Sequence, residues 1–240
     1  MNTEDKLPIF KSNRFSTGIK NLDILLEGGY HDGHLVMFLG SAGMGKTAFA
    51  FHFADAGIKN DELILYVLSD MDHTELLKKG SSLNFDFKKA MSDGKLIFIE
   101  CHISSSENSL KNSESIKEVI SIPGPSYLND LSLAIKGVLQ ENQQKRIRVI
   151  FHSLSTLVVY NQQESILKFL QIVGGRLKKA NITTLFLVEE GMHEKTLISS
   201  LQHLMDELFT VHDSGEFSLE SPRLPMIIPL KLGSSGIEVR

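Results

Sequence analysis

Five short apolar runs recur along the chain, at 35–39 (LVMFL), 63–68 (LILYVL), 96–99 (LIFI), 149–151 (VIF) and 184–188 (TLFLV). None alternates with polar residues, so each predicts a strand covered on both faces, as parallel sheets require. Between them the apolar spacing turns helical, predicting helices over 46–56, 74–79, 128–140, 164–179 and 197–205. In the fourth of these, Ile166, Leu167, Leu170, Val173 and Leu177 make one apolar face. Strand and helix in alternation predict βαβ units, and hence an α/β fold with a mainly parallel central sheet flanked by helices.

The tail breaks this rhythm. Apolar stretches at 208–212, 217–219, 226–231 and 237–239 are separated by Gly and Pro signals, which predicts C-terminal antiparallel hairpin strands appended to the sheet. The segment 104–115, rich in Ser, Asn and Glu, has too little apolar content to pack and predicts a mobile loop. No repeat or composition shift interrupts the chain, so 1–240 is expected to form a single domain.

Composition narrows the class. With 42% hydrophobic and 22% charged residues, the 240-residue chain is an ordinary globular protein, large enough to bury a core without staples. The single cysteine, Cys101, excludes an intrachain disulfide, fits a reducing compartment and is expected to be buried and inert. Residues 1–10 lack the apolar centre of a secretory signal. The richest apolar run, 147–160, is broken by Arg148, His152, Ser153, Ser155 and Thr156, so no membrane helix is expected and the location expected is cytoplasmic. A net charge of -4 supplies no pull towards nucleic acid or anionic lipid, and the lysine pairs 78–79, 88–89 and 178–179 read as solvated faces.

One motif carries chemistry. Gly40-Ser41-Ala42-Gly43-Met44-Gly45-Lys46-Thr47 fits G-x-x-x-x-G-K-[ST] at every fixed position, with an apolar strand before it and Ala48-Phe49-Ala50-Phe51 opening a helix behind it. A chance match in a chain of this length has a probability of roughly 1%. Glycines let successive backbone N–H groups turn towards phosphate oxygens, and the helix N-terminus adds free donors and the positive end of its dipole. Lys46 is placed to reach the β- and γ-phosphates of ATP, and the Thr47 hydroxyl to ligate Mg²⁺, with Ala48 closing the binding segment.

The flanking residues narrow the family. Phe15-Ser16-Thr17-Gly18-Ile19-Lys20-Asn21-Leu22-Asp23, followed by Leu25-Leu26-Glu27-Gly28-Gly29, resembles the lead-in of KaiC-like ATPases of the RecA superfamily. The likeness continues in register through the phosphate loop and Leu65-Tyr66-Val67. It resumes at 90–100, at Val149-Ile150-Phe151-His152-Ser153-Leu154-Ser155, at Glu189-Glu190-Gly191 and at 229–239. The resemblance implies a RecA-like core, ATP and Mg²⁺ as ligands, homo-oligomers or a regulatory protein partner, and signalling work.

Three departures from the family pattern bear on hydrolysis. Where the family ends a strand in the Walker B aspartate, this chain has His152, which is either catalytic or merely packed and hydrogen-bonded in a degenerate site. Where the family ends the strand after the phosphate-loop helix with two acidic residues, this chain has Asp70-Met71. Asp70 either orders a water, lends charge to Mg²⁺, or is an exposed loop residue, and Asp72 has a weaker claim. The family's late K-x-R element, used on a neighbour's γ-phosphate, is reduced to Arg223 in FSLESPR. Glu189 sits where the family senses the γ-phosphate, or is a solvated acid.

These residues predict an ATP-binding regulator whose hydrolysis is weak or absent, its nucleotide state controlling conformation, assembly or a signalling partner. The alternative is a genuine slow ATPase using Asp70. A recombinase-like DNA motor stands third, because MHEKT after Gly191 supplies few basic or aromatic residues. A hexamer is the family expectation; the reduced K-x-R element is equally compatible with a monomer or dimer.

Overall fold

In the computed structural model, which describes residues 14–43, 45–101, 117–212, 217–234 and 236–239, the chain opens with a small antiparallel pair. Strand β1 (Arg14–Phe15) meets β2 (Tyr30–His31) around helix α1 (Lys20–Leu25). The alternation then begins: β3 (Leu35–Gly40), α2 (Lys46–Lys59), β4 (Leu63–Leu68), α3 (His73–Ser82), α4 (Phe87–Ser92) and β5 (Leu96–Glu100). It continues through β6 (Val119–Ser121), α5 (Leu128–Glu141), β7 (Ile147–His152), α6 (Leu154–Val159), α7 (Gln163–Lys179), β8 (Thr183–Glu189) and α8 (Lys195–Leu204). The chain closes with β9 (Glu207–His212), β10 (Ser218–Glu220), β11 (Ile228–Gly233) and β12 (Gly236–Val239).

These strands form a sheet of order β12-β11-β10-β9-β3-β8-β7-β4-β5-β6. Every pairing from β9 to β6 is parallel, and β9 to β12 pair antiparallel. All five apolar runs are strands of the parallel part, so the α/β class with an antiparallel tail stands. The run at 208–212 forms the expected antiparallel pair with β10, and its other edge, which the sequence left unassigned, lies parallel to β3, from Val36 opposite Glu207 to Gly40 opposite Val211. Apolar residues report which face of a strand is covered, not which way it runs. Here α8 carries the chain back along the sheet, which sets β9 parallel. Helices α1, α4 and α6 have six residues each, too few for a helical period to show in the sequence.

The sheet separates two apolar layers. On one side Phe38, Phe49, Phe51 and Phe53 of β3 and α2 pack with Phe85, Phe87, Phe209 and the C-terminal strands. On the other, Phe151 and Phe186 stack at 4.7 Å under α5 to α8. Arg148, fully buried on β7, crosses the first layer. It pairs with Glu62 and donates to the carbonyls of Ser16 (2.7 Å) and Phe53 (2.8 Å). Gly57 leaves it room, since a Cβ there would stand 2.7 Å from the Arg148 side chain. Desolvating that charge is tolerable because Nε meets the Glu62 carboxylate and Nη1 meets two carbonyls.

The C-terminal hairpin is tied to the phosphate-loop helix. His52 Nε2 on α2 accepts from the Ile237 N–H at 2.8 Å, and its ring packs edge-on against Phe85. Cys101 is buried, donates to the Leu68 carbonyl at 3.2 Å, and burial pushes its thiol up to about 12. Of the lysine pairs, five side chains are exposed, while Lys178 is half-buried and reaches Asp206 at 2.7 Å. The segment 104–115 lies outside the described residues.

Candidate functional site

The parallel sheet brings its chemistry to one edge. The carboxyl ends of β3, β8, β7 and β4, four adjacent strands, carry Gly40, Glu189, His152 and the turn to Asp70. Register places Gly40 opposite Glu189 and Leu68 opposite His152. Ligand sites in open α/β sheets form at this edge because the loops that follow the strands converge there.

Gly40, Ser41, Ala42, Gly43, Gly45, Lys46 and Thr47 wrap from β3 into α2; Met44 is outside the described residues. Gly43 (φ 79°) and Gly45 (φ 71°) hold left-handed backbone that a side chain would strain. A Cβ at Gly43 would meet nothing, so that side of the loop is open, whereas one at Gly45 would stand 3.2 Å from the Phe217 ring. Ala48 is buried in the first turn, its N–H bonded to the Gly45 carbonyl at 2.8 Å. The Lys46 ammonium curls over the loop, donating to the carbonyls of Gly40 and Ser41 at 2.6 Å each. Burial lowers the Lys46 ammonium from its ordinary value, against the opposing charges of Glu189 and Glu190. Glycine backbone, helix N-terminus and a half-buried cation fit a polyphosphate.

Thr47, His152 and Asp70 form a continuous chain. Thr47 Oγ1 lies 2.9 Å from His152 Nε2, and His152 Nδ1 lies 3.0 Å from Asp70 Oδ1. The imidazole is buried at 5% exposure, while about a third of the Asp70 side chain, 32%, faces solvent. Burial pushes the Asp70 carboxyl up, but the hydrogen bond and charge of His152 outweigh it and hold the carboxyl below its ordinary range. A carboxylate at Nδ1 favours the proton there, leaving the Nε2 lone pair to face the threonine hydroxyl. His152 is thus hydrogen-bonded on both nitrogens, and Asp70 is its partner rather than a free loop acid. A Thr47 hydroxyl flanked by an imidazole nitrogen fits a divalent ion, although the anionic oxygen stands one ring further away.

The remaining candidates divide. Glu189 is half-buried at the mouth and its N–H donates to Ser155 Oγ at 2.8 Å. Asp72 caps α3, accepting from the Glu75 N–H at 2.8 Å. Arg223 turns inward. It pairs with the buried Glu207 and donates to the carbonyls of Leu26 (3.1 Å) and Gly29 (3.4 Å). Sequence reasoning did not reach Ser69, whose hydroxyl donates to the Ser153 carbonyl at 2.6 Å and accepts from its N–H at 3.0 Å. Nor did it reach Phe217 over Gly45; a lone Ser and a tail Phe carry no spacing signal.

The lead-in is structural. Asp23 accepts from the Thr17 N–H and hydroxyl at 2.7 Å each and from the Ser16 hydroxyl at 2.6 Å, fixing the turn. Gly18 (φ 83°) packs so closely on α2 that a Cβ would stand 2.1 Å from the His52 carbonyl oxygen. The sequence model described as "ATPase: KaiC" matches residues 15–212, from this lead-in through β9. The chain belongs to the KaiC ATPase family.

Relatives in the KaiC family agree at lower resolution. The circadian clock protein KaiC3 of Synechocystis sp. is 24% identical over 173 residues, 72% of this chain and 30% of that protein. The circadian clock oscillator protein KaiC of Prochlorococcus marinus subsp. pastoris is 25% identical over 189 residues, 78% of this chain and 33% of its own length. This chain therefore spans about a quarter to a third of the length of the curated relatives it matches. A crystal structure of a KaiC-like protein from Pyrococcus horikoshii OT3 shares the fold, with a TM-score of 0.71 at 18% identity over 95% of this chain and 98% of that one. Among the described residues no helix is long and apolar enough to cross a membrane.

Proposed function

We propose that this KaiC-family chain binds ATP with a divalent cation on the loop from Gly40 to Ala48, and turns it over weakly or not at all. Nucleotide occupancy then acts as the signal, controlling conformation, assembly or a protein partner. The observation that carries this reading is the Thr47–His152–Asp70 chain. It keeps the loop's binding groups intact while tying Asp70, the stronger candidate for orienting a water, to a ring. In-line attack needs a water held by a free acceptor, and Asp70 Oδ1 is already engaged. The inward turn of Arg223 adds to it, since a guanidinium paired with Glu207 is withheld from a neighbour's phosphates.

A second reading, a genuine slow ATPase, is favoured by the solvent-facing third of the Asp70 side chain. Steady-state phosphate release and equilibrium ATP binding separate the two. Turnover below about one per minute, with binding lost in Lys46→Ala, supports the regulator. A faster rate that Asp70→Ala abolishes establishes the enzyme instead. Absence of ATP binding at millimolar concentration defeats both.

A further inference from the structure

We infer that the cation carried by the nucleotide is a first-row transition ion such as Mn²⁺ or Co²⁺, ligated directly by His152 Nε2, in preference to Mg²⁺. The inference rests on the ATP-binding reading above and names the metal of that same site.

Three features of the chain lead to it. The first is donor chemistry. Mg²⁺ is small and hard, dehydrates reluctantly and takes oxygen ligands, best from carboxylates. Imidazole nitrogen is a ligand for borderline ions, and affinity for it rises from Mn²⁺ to Co²⁺. His152 is the hydrogen-bond partner of the Thr47 hydroxyl, at 2.9 Å, where a Mg²⁺ site favours a carboxylate oxygen.

The second is orientation. A metal-bound histidine characteristically donates its other ring N–H to a carboxylate, which fixes the tautomer, aims the lone pair and raises its basicity. His152 Nδ1 is 3.0 Å from Asp70 Oδ1, so Nε2 is the unprotonated nitrogen and faces the Thr47 hydroxyl. The ring is held there by burial at the end of β7, with the Tyr66 ring centroid 6.4 Å from its own. Asp70 thereby supplies, through the ring, the negative charge that the site lacks at first contact.

The third is spacing. Two neighbouring ligands of an octahedral ion at about 2.1 Å lie roughly 3 Å apart. The 2.9 Å between Thr47 Oγ1 and His152 Nε2 serves equally as a hydrogen bond without the ion and as a ligand edge with it. Among the described residues no group of three or more His, Cys, Asp or Glu is placed to hold a metal alone. The ion would therefore arrive with the triphosphate, whose oxygens and waters fill its other positions.

The test compares ATP affinity of the whole chain in EDTA, Mg²⁺, Mn²⁺ and Co²⁺ at matched free-ion concentration, for the wild type and His152→Asp. The wild type is expected to bind ATP about 10-fold or more tighter with Mn²⁺ or Co²⁺ than with Mg²⁺. In His152→Asp that ratio should fall towards one. Pulsed EPR of the wild-type Mn²⁺–ATP complex needs no variant and should show nitrogen hyperfine coupling from one imidazole. Equal affinity with every ion, or a Mn²⁺ signal without nitrogen coupling, overturns the inference while leaving ATP binding intact. Failure to bind ATP under any of these conditions overturns the nucleotide reading, and this inference with it.

Discussion

Arg223 closes an ion pair with Glu207, a carboxylate only 1% exposed at the start of β9. The same carboxylate accepts from the His31 N–H at 3.0 Å and lies 2.9 Å from His34 Nδ1. The arginine that survives from the family's K-x-R element therefore knits the tail to the lead-in of its own chain. Arg223→Ala is expected to lower stability by on the order of 1–3 kcal/mol, because it leaves a buried charge short of a donor. ATP affinity and any basal turnover should stay within about twofold of wild type. Urea denaturation beside a phosphate-release assay checks this, and a collapse of turnover at unchanged stability would show the guanidinium acting on nucleotide.

His73, the first residue of α3, pairs with Glu100, its Nδ1 2.7 Å from the carboxylate. The hydrogen bond to Glu100, working against burial, raises its imidazole above the ordinary value. A raised folded-state value means the contribution is complete below about pH 6.5 and is lost as pH rises through the folded value. The stability gap between wild type and His73→Ala should therefore be widest in mild acid and shrink towards pH 8. Thermal melts across that range measure it, and a gap that widens with pH contradicts the pairing.

His52 behaves in the opposite sense. Burial lowers its imidazole, and its Nε2 must stay unprotonated to accept from the Ile237 N–H. With the folded value depressed, the unfolded chain binds the extra proton first. Stability is then whole above about pH 6.5 and falls as pH drops through it. His52→Leu should lose stability at neutral pH and lose less on acidification than wild type does. In the wild type the Ile237 amide should exchange faster, relative to its intrinsic rate, at pH 5 than at pH 7.

The Cys101 thiol is buried against the Leu68 carbonyl and pushed up to about 12 by burial, with Asp70 and Glu100 adding to it. Thiolate is the reactive form, so alkylation at pH 8 should be slower than for a free thiol by at least two orders of magnitude. Labelling should become rapid only in denaturant. Rapid modification of the folded chain, followed by mass spectrometry, would contradict this placement.

The sequence by itself determined the five central strands β3, β4, β5, β7 and β8, because each is a near-continuous apolar run that only a doubly covered sheet accepts. It determined the phosphate loop too, since local backbone freedom and a helix start are encoded in consecutive residues. The family likeness was equally legible, its lead-in being a set of contacts within a few residues, such as Thr17 and Ser16 on Asp23. Tertiary structure alone decided the direction of β9, which depends on how α8 returns the chain rather than on any residue in the strand. It alone decided what His152, Asp70 and Arg223 do. Thr47 and His152 are 105 positions apart, and His152 and Asp70 are 82 apart. Hydrogen bonds act over about 3 Å, and which side chains come that close is settled by the order of strands in the sheet, a property of the packed chain as a whole.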